Sequence, residues 1–115
     1  MEPRIQFIND LNEVTLPIIK LTKSRNGKTG TAAFVFIKPK VFANIIHEDK
    51  FIRSMSLIWD NKIIETTDLE IFFKDGNPFI IKSILIFKSS KEWFNFLNFM
   101  HSYSKETGLS FTEKS

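Results

Sequence analysis

The sequence predicts an α+β fold, mainly an antiparallel β-sheet of about five to six strands with a meander in the middle, covered by one C-terminal amphipathic helix. The 115 residues include thirteen Phe and sixteen Ile, and such aromatic and β-branched residues favour strands. Apolar and polar residues alternate between pairs of turn residues, and a capped segment with helical periodicity follows near the C-terminus. At this length we expect a single domain over residues 1–115, with an ordered core at about 4–111.

The N-terminal half is expected to contribute three strands. Arg4 to Ile8 and Leu16 to Thr22 are predicted to be short strands separated by the polar turn Asn9 to Glu13. Pro17 is tolerated there because it lies near a strand start, where its missing N–H costs little. Thr31 to Lys38 carries apolar side chains on both faces, which favours a central strand.

The middle of the chain predicts a meander of three consecutive antiparallel strands. These are Phe51 to Trp59, Ile63 to Phe73 and Phe79 to Lys88, and the first of them should bury one face. Asp60-Asn61 and Asp75 to Pro78 have the composition of tight turns between the strands.

A helix is predicted from about Ser90 to Thr107. Ser89 is a suitable N-cap, Glu92 completes a Ser-x-x-Glu capping box, and Gly108 stands where a left-handed residue ends a helix. One apolar stripe at helical spacing should lie across a sheet face: Trp93, Phe96, Leu97, Met100 and Tyr103. The last residues, Thr112 to Ser115, are expected to fray.

The sequence lacks the residues that metal binding, catalysis or a membrane-spanning segment would require. There is no Cys, and His47 and His101 lie far apart, so we predict no metal site; His47 beside Glu48 and Asp49 is expected to be merely exposed. We also predict no catalytic residues and no cofactor. The longest apolar run has six residues, far fewer than the roughly 20 that span a bilayer.

Two weaker signals for enzyme chemistry have simpler explanations. Gly27-Lys28-Thr29 resembles the end of a phosphate-binding loop, but the glycine that the motif requires five positions earlier is Thr22. Asp68 and Glu70 lie near one another without a base or nucleophile beside them, so they are expected to be solvated. A nucleotide enzyme is therefore the weakest interpretation.

Charge is concentrated in one part of the chain. Between Val14 and His47 there are no carboxylates and six cations, namely Lys20, Lys23, Arg25, Lys28, Lys38 and Lys40. Such a stretch is either a solvated face or a surface that meets nucleic-acid phosphates, anionic lipid heads or an acidic protein. Gly27 and Gly30 are expected to free backbone N–H groups for outside acceptors.

The residue order in this stretch resembles a known family. The run from Leu21 to Ala32, followed by an aromatic strand and Lys38-Pro39-Lys40, is similar to the photosystem II reaction-centre protein 28 (Psb28) family. A second block agrees with that family's C-terminal helix, and Asp75 to Pro78 agrees with its turn with one change. The similarity spans Ile5 to Phe111, and the second block comprises Glu92, Trp93, Phe96, Phe99, Met100, Tyr103, Glu106, Gly108, Leu109 and Phe111.

This resemblance implies a function without catalysis. Members of the family are small extrinsic proteins with an antiparallel β fold and a helical cover. They bind photosystem II assembly intermediates transiently, on the cytosolic or stromal face of cyanobacterial or plastid thylakoids, and assist biogenesis and repair. The implied partners are the inner antenna protein CP47, the D-type reaction-centre proteins and the thylakoid surface, with no nucleic acid and no small-molecule substrate.

The resemblance and the charge together indicate a partner-binding loop. We expect Lys23, Arg25 and Lys28 to dock on acidic or carbonyl-rich loops, while the glycines shape the loop for close approach. An open sheet edge is an additional contact for an extended partner tail, although the sequence does not identify the edge. The predicted partner-binding residues are Lys23, Ser24, Arg25, Asn26, Gly27, Lys28, Gly30 and Thr31.

One alternative function remains open at this point. A basic loop beside Phe34 and Phe36 could belong to a small RNA-binding module, in which exposed aromatic rings on a sheet stack on bases. Apolar residues on both faces of this strand argue against exposed rings. RNA binding of this kind would also weaken steeply with salt.

Overall fold

A computed structural model describes residues 2–48 and 51–114, with the surroundings of side chains given for residues 2–45 and 51–111. The elements form two β-sheets and two helices. In chain order they are β1 (Arg4–Ile8), β2 (Leu11–Asn12), β3 (Ile18–Lys23), β4 (Gly30–Ile37), α1 (Val41–Glu48), β5 (Met55–Trp59), β6 (Lys62–Thr66), β7 (Leu69–Lys74), β8 (Asn77–Phe87), α2 (Ser90–Thr107) and β9 (Thr112–Lys114).

The strands pair in a four-stranded sheet of order β2-β1-β5-β6 and a five-stranded sheet of order β7-β8-β4-β3-β9. Every neighbouring pair is antiparallel except β3 and β9, which are parallel. The α+β class with predominantly antiparallel strands is confirmed. The described residues contain nine strands rather than five to six, and a short helix, α1, that the sequence analysis did not predict.

β4 is the central strand of the five-stranded sheet, as predicted. It pairs with β3 over six residue pairs on one side and with β8 over eight on the other. Phe34 and Phe36 point into the core and are fully buried. Their neighbours Val35 and Ile37 point to the opposite face, which is only partly covered.

The predicted meander is interrupted within its second strand. The segment Ile63 to Phe73 divides into β6, which ends the four-stranded sheet, and β7, which borders the five-stranded sheet. At the crossover the Thr66 Oγ1 donates to the Ile84 carbonyl (2.8 Å), and the Ile84 N–H donates to the Asp68 carbonyl (3.1 Å). These bonds fix the point where the chain leaves one sheet for the other.

Both predicted tight turns are present. Asp60 and Asn61 have φ values of 43° and 61°, and Asp75 and Gly76 have 53° and 81°. Positive φ at both central residues is the conformation whose twist matches the flanking strands of a two-residue hairpin. The sequence therefore located these two turns correctly.

The helix α2 and its caps are confirmed, with one difference in the capping box. The Ser89 side chain accepts from the Glu92 N–H (3.2 Å), and Gly108 ends the helix at φ 77° with its N–H donating to the Ser104 carbonyl (2.8 Å). The Glu92 carboxylate accepts from the N–H of Lys88 (3.2 Å), one residue before the expected Ser89.

The core lies between the sheets and α2. Helix residues reach both sheets, since the Phe96 ring contacts Phe34 in the five-stranded sheet and the Phe99 ring contacts Trp59 in the four-stranded one, with centroids 6.2 and 5.3 Å apart. The predicted stripe is buried on one side, where Trp93, Phe96, Phe99, Met100 and Tyr103 are its buried residues. Phe99 belongs to this buried stripe, whereas Leu97, which was predicted to belong to it, is only half-buried.

Two expectations about chain segments are wrong. Phe51 precedes β5 and is 69% exposed, so it does not belong to the buried face of that strand. The expected frayed tail includes residues 112–114, which pair with β3 as β9. The expected exposure of His47 lies outside the described side chains, as does the placement of Asp49.

A buried carboxylate holds the unpredicted helix α1 in place. Glu13 accepts N–H bonds from Lys40 (2.9 Å) and Val41 (2.8 Å) at the start of α1, and from Thr15 (3.0 Å) in its own segment. A carboxylate at this position satisfies N–H groups that have no partner within the helix and complements the helix dipole. The helix was missed because its cap comes from a residue 28 positions away.

Candidate partner-binding surface

Residues 24–29, which join β3 to β4, form a hairpin loop that we call the basic loop. Its backbone is closed internally, because the Ser24 N–H donates to the Thr29 carbonyl (3.0 Å) and the Gly27 N–H donates to the Ser24 carbonyl (3.0 Å). Gly27 has φ 69°, a left-handed conformation in which a glycine is favoured.

Side chains complete the internal bonding of the basic loop. The Asn26 Oδ1 accepts from the Ser24 Oγ (2.6 Å) and from the Lys28 N–H (2.9 Å), while the Thr29 N–H donates to the Ser24 Oγ (3.3 Å). The expectation that glycines free N–H groups for outside acceptors is therefore wrong for Gly27, Lys28 and Thr29. The charged groups that the loop exposes are the side chains of Arg25 and Lys28.

The cations of the basic loop are presented to solvent. Arg25 and Lys28 are exposed at its tip, and Lys23, the last residue of β3, is half-buried. The bonds that Asn26 and Ser24 make hold the backbone between the two exposed cations. A preorganised loop of this kind loses less conformational freedom on binding than a loose one.

Gly30 has a structural role in the packing of α2 on the sheet. It is buried at the start of β4, where an added Cβ would lie 2.7 Å from the Thr22 carbonyl oxygen and 2.7 Å from the Trp93 ring. The residue therefore permits close packing of α2 on the sheet and does not face a partner. Thr31, the next residue, is exposed on the other side of the sheet.

Two of the three remaining cations of the acid-free stretch lie far from the basic loop or outside its sheet. Lys38 follows the opposite end of β4, so it is about 25 Å from the basic loop at roughly 3.3 Å per residue. Its Nζ lies 5.5 Å from the centroid of the Phe79 ring, and the Lys74 Nζ lies 5.2 Å from the same ring. Lys40 precedes α1.

The five-stranded sheet has an apolar face that the sequence analysis did not recognise. We call the side turned away from α2 the outer face. Cross-strand pairing places Ile37 opposite Ile80 and Ile80 opposite Phe72, while Ala33 lies opposite Ile84. Its apolar residues are Ile18, Ala33, Val35, Ile37, Phe72, Ile80, Ile84 and Ile86. The register revealed this set, which comes from four strands that are scattered along the chain.

The basic loop and the outer face meet at a cavity of about 280 Å³. Thr22, Thr31 and Ile86 belong to the last cross-strand row of the outer face, and they line this cavity together with Ser24 and Thr29 of the basic loop. Cationic and apolar surfaces are therefore continuous at this end of the sheet.

A second cavity, of about 430 Å³, lies where the two sheets separate. It is lined by residues of β6 from Ile63 to Thr66, by the end of β8 and by Glu92 and Asn95 of α2. The edge strands of the sheets are β2 and β6 in one and β7 and β9 in the other, and β7 is the longest with six residues. The sequence could not identify these edges because pairing depends on the break after Thr66.

The described residues show little basis for the alternative functions. Phe34 and Phe36 are fully buried, so an aromatic stacking platform on this strand is excluded. Among these residues no group of three or more His, Cys, Asp or Glu side chains could hold a metal ion. No helix among them is long and apolar enough to cross a membrane.

One titratable group in the core is perturbed. Burial, together with the nearby negative charge of Glu13, raises the pKa of Tyr103 to about 12. Both effects disfavour the phenolate. Because the ring stacks on Phe99 inside the core, the shift reflects packing and not a reactive site.

Comparison with known proteins gives consistent results. A family model described as Psb28 protein matches residues 5–111. A protein named photosystem II reaction center Psb28 protein from Phaeodactylum tricornutum is 41% identical over 115 residues, covering all of both chains, and one of the same name from Trieres chinensis is 42% identical with the same coverage. An Arabidopsis thaliana protein named photosystem II reaction center PSB28 protein, chloroplastic, is 39% identical over 99% of this chain and 62% of its own length.

Proposed function

The chain belongs to the Psb28 family, and from this premise we propose that it is a non-enzymatic extrinsic protein of photosystem II. It binds assembly intermediates transiently on the cytosolic or stromal face of the thylakoid and assists biogenesis and repair. The names of its relatives, which associate them with photosystem II and in plants with the chloroplast, support this proposal. Its partners are CP47 and the D-type reaction-centre proteins.

The observation that carries the proposal is the rigid, cationic basic loop. Its internal hydrogen bonds use four of the six backbone N–H groups of the loop, and Arg25 and Lys28 are exposed at the tip. Guanidinium and ammonium groups are donors only, so their partners are carboxylates or backbone carbonyl oxygens. Lys23 adds a third positive charge at the base of the loop. We assign this loop the docking role.

An open sheet edge offers a further contact for the same partner. Among the described residues strand β7 pairs only with β8, and its outward edge presents backbone groups beside the exposed rings of Phe72 and Phe73. An extended tail that added to this edge would gain main-chain hydrogen bonds. Because this contact depends little on side chains, the basic loop would determine specificity.

The docking role of the loop is tested by recovery of photosystem II subunits from detergent-solubilised thylakoids of Phaeodactylum tricornutum. The tagged chain is compared with Arg25→Glu and Lys28→Glu, which place a negative charge against an acidic partner. We expect each variant to lower recovery about tenfold, since like charges at a docking contact cost on the order of 1 to 2 kcal/mol.

Lys38→Glu is the matched control, because it makes the same charge change about 25 Å away on the same acid-free stretch. It should leave recovery unchanged. Equal recovery by all four proteins would overturn the role of the loop. If the unmodified chain recovered no photosystem II subunit, the proposed function itself would be wrong.

A further inference from the structure

We propose that the outer face of the five-stranded sheet binds an amphipathic helix of the partner, with acidic residues on one flank and its C-terminus at the basic loop. This inference rests on the proposed function and deepens it. Ile18 and Ile86 are 61% and 59% exposed on this face, so apolar surface remains open to solvent after folding. The other face of the same sheet is covered by α2.

The occupant is a helix because the outer face has no backbone groups to offer. The N–H and C=O groups of β4, the central strand, are paired within the sheet plane with β3 on one side and β8 on the other. An extended segment lying on Val35 and Ile84 would leave its own backbone groups unpaired against apolar surface, which costs free energy. A helix pairs these groups internally.

A lipid surface and a second copy of the chain fit less well. Lys20 and Lys82 lie within the outer face, opposite Ala33 and Val35, and insertion into lipid would take both ammonium groups into hydrocarbon. Two copies meeting face to face would each bring Lys20 and Lys82 against a single Glu70, so surfaces of the same net charge would oppose each other. Carboxylates on a helix flank can reach the ammonium groups directly.

The charge pattern gives the helix an orientation. Lys20 lies on the β3 side of the face and Arg25 lies in the adjoining basic loop, whereas on the opposite border Lys82 is paired across the strands with Glu70, so that the two charges offset each other there. The acidic flank of the helix therefore faces β3. The negative end of a helix dipole is its C-terminus, which is favourable beside the basic loop.

The geometry also gives a length. The outward residues of β4 extend from Thr31 to Ile37, about 20 Å at roughly 3.3 Å per residue. A helix rises about 1.5 Å per residue, so about 13 residues cover this distance. Along the same line β4 presents the small side chains of Thr31 and Ala33, flanked by Ile84 and Ile86 of β8. These small side chains allow a helix to approach the sheet most closely at the end near the basic loop.

The test uses the full chain with the photo-reactive residue benzoylphenylalanine at one position at a time, irradiated with solubilised thylakoids of Phaeodactylum tricornutum. Ile84 and Ile37 report on the parts of the outer face nearer to and farther from the basic loop, and Arg25 reports on the basic loop. Ile63, 67% exposed on the other sheet, is the control position. Cross-linked peptides are identified by mass spectrometry, and circular dichroism checks the fold of each variant.

We expect positions 84 and 37 to cross-link to one segment of a photosystem II subunit, at residues spaced three or four apart, with position 84 nearer its C-terminus. Cross-links to alternate residues, to lipid or to another copy of the chain would overturn the inference. If Arg25 cross-links to a photosystem II subunit while Ile84 and Ile37 do not, the inference fails and the proposed function stands. If none of the three positions cross-links to a photosystem II subunit, both the inference and the proposed function are rejected.

A charge exchange provides an independent measurement. Lys20→Glu should lower the recovery of the cross-linked subunit about tenfold, because it opposes the acidic flank of the helix. Glu70→Lys, on the other border, should leave that recovery within about twofold of the unmodified chain. Equal effects of the two substitutions would contradict the orientation of the helix and overturn the inference.

Discussion

Gly30 is enclosed by the carbonyl oxygen of Thr22 and the indole ring of Trp93, and its role is set by the atoms around it. An added Cβ would lie 2.7 Å from the carbonyl oxygen, which is shorter than carbon and oxygen atoms tolerate. Because the oxygen belongs to a strand backbone and the ring belongs to a buried tryptophan, neither can move without disturbing the sheet or the helix.

We therefore expect Gly30→Ala to lower the free energy of unfolding by about 1 to 3 kcal/mol, the usual cost of overpacking. Gly27→Asn is the control, because an added Cβ at Gly27 meets no atom within 4 Å and Asn tolerates positive φ. Urea unfolding followed by tryptophan fluorescence gives both values. A Gly30→Ala variant as stable as the parent would show that the packing can relax.

The structural roles of some single residues could be predicted from the sequence, and those of others could not. The cap residues Ser89 and Gly108 were predictable because capping depends on neighbours three or four positions away. The roles of Gly30 and Glu13 were not, since one depends on Trp93 and the other on Val41, both distant in the sequence. The loop was located correctly, but the internal bonding by Asn26 could not be deduced from charge.

At the scale of elements, α2 is the best determined part of the molecule. Its N-terminus is fixed by the Ser89 side chain, which accepts from the Glu92 N–H (3.2 Å), and its buried stripe joins the two sheets. The local sequence specifies the N-cap and the apolar periodicity of the helix, and tertiary packing does not shift either of them. For this reason the predicted and observed bounds agree at Ser90 and Thr107.

Ser89→Ala should lower the free energy of unfolding by about 1 kcal/mol, because it removes an N-cap. Ser90→Ala makes the same chemical change one residue later, where the side chain is exposed inside the first turn and the backbone is already helical. This control should change stability by less than 0.5 kcal/mol in either direction, roughly the range of surface substitutions. Thermal unfolding by circular dichroism distinguishes them; equal losses would show that Ser89 is not a functional cap.

The break between β6 and β7 at Thr67 and Asp68 could not be predicted from the local sequence. The segment Ile63 to Phe73 contains neither Gly nor Pro, so nothing in its pattern marks an interruption. The structure divides it because Thr66 and Asp68 bond to Ile84 on another strand. A transfer between sheets is decided by long-range pairing, which a window of ten residues does not contain.

At the scale of the whole molecule, stability at high pH depends on the one tyrosine of the chain. The folded pKa of Tyr103 is raised from 10.0 to about 12, so the folded state keeps its proton where the unfolded state releases it. This contribution to stability is fully present below pH 10 and is lost as the pH rises from 10 to 12. The loss is on the order of 2 kcal/mol by pH 12.

Absorbance at 295 nm measures the shift directly, because Tyr103 is the only tyrosine. The folded chain should ionise about two pH units above the same chain in concentrated urea. Lysines also titrate near pH 10, so Tyr103→Phe serves as the control and should lose less stability between pH 10 and 12. Ionisation at the same pH with and without urea would contradict the burial of the phenol.

The overall class was predictable because composition and alternation are properties of the whole chain. The division into two sheets was not, because it depends on which strand edges meet. The same holds for the proposed binding surface. Residue order and charge indicated the basic loop, whereas the outer face became visible only when the strand register placed Ile18, Val35 and Ile84 side by side.

The short parallel strand β9 also has a consequence for the solution behaviour of the protein. It lies along β3, so residues 20–22 of that strand do not offer a bare backbone edge to other molecules. Unprotected edges are the usual route by which β-sheet proteins aggregate. Residues 112–114 thus replace the longer edge of β3 with a three-residue edge that is less suited to self-pairing. An affinity tag for the pull-down experiments belongs at the N-terminus, where it leaves β9 undisturbed.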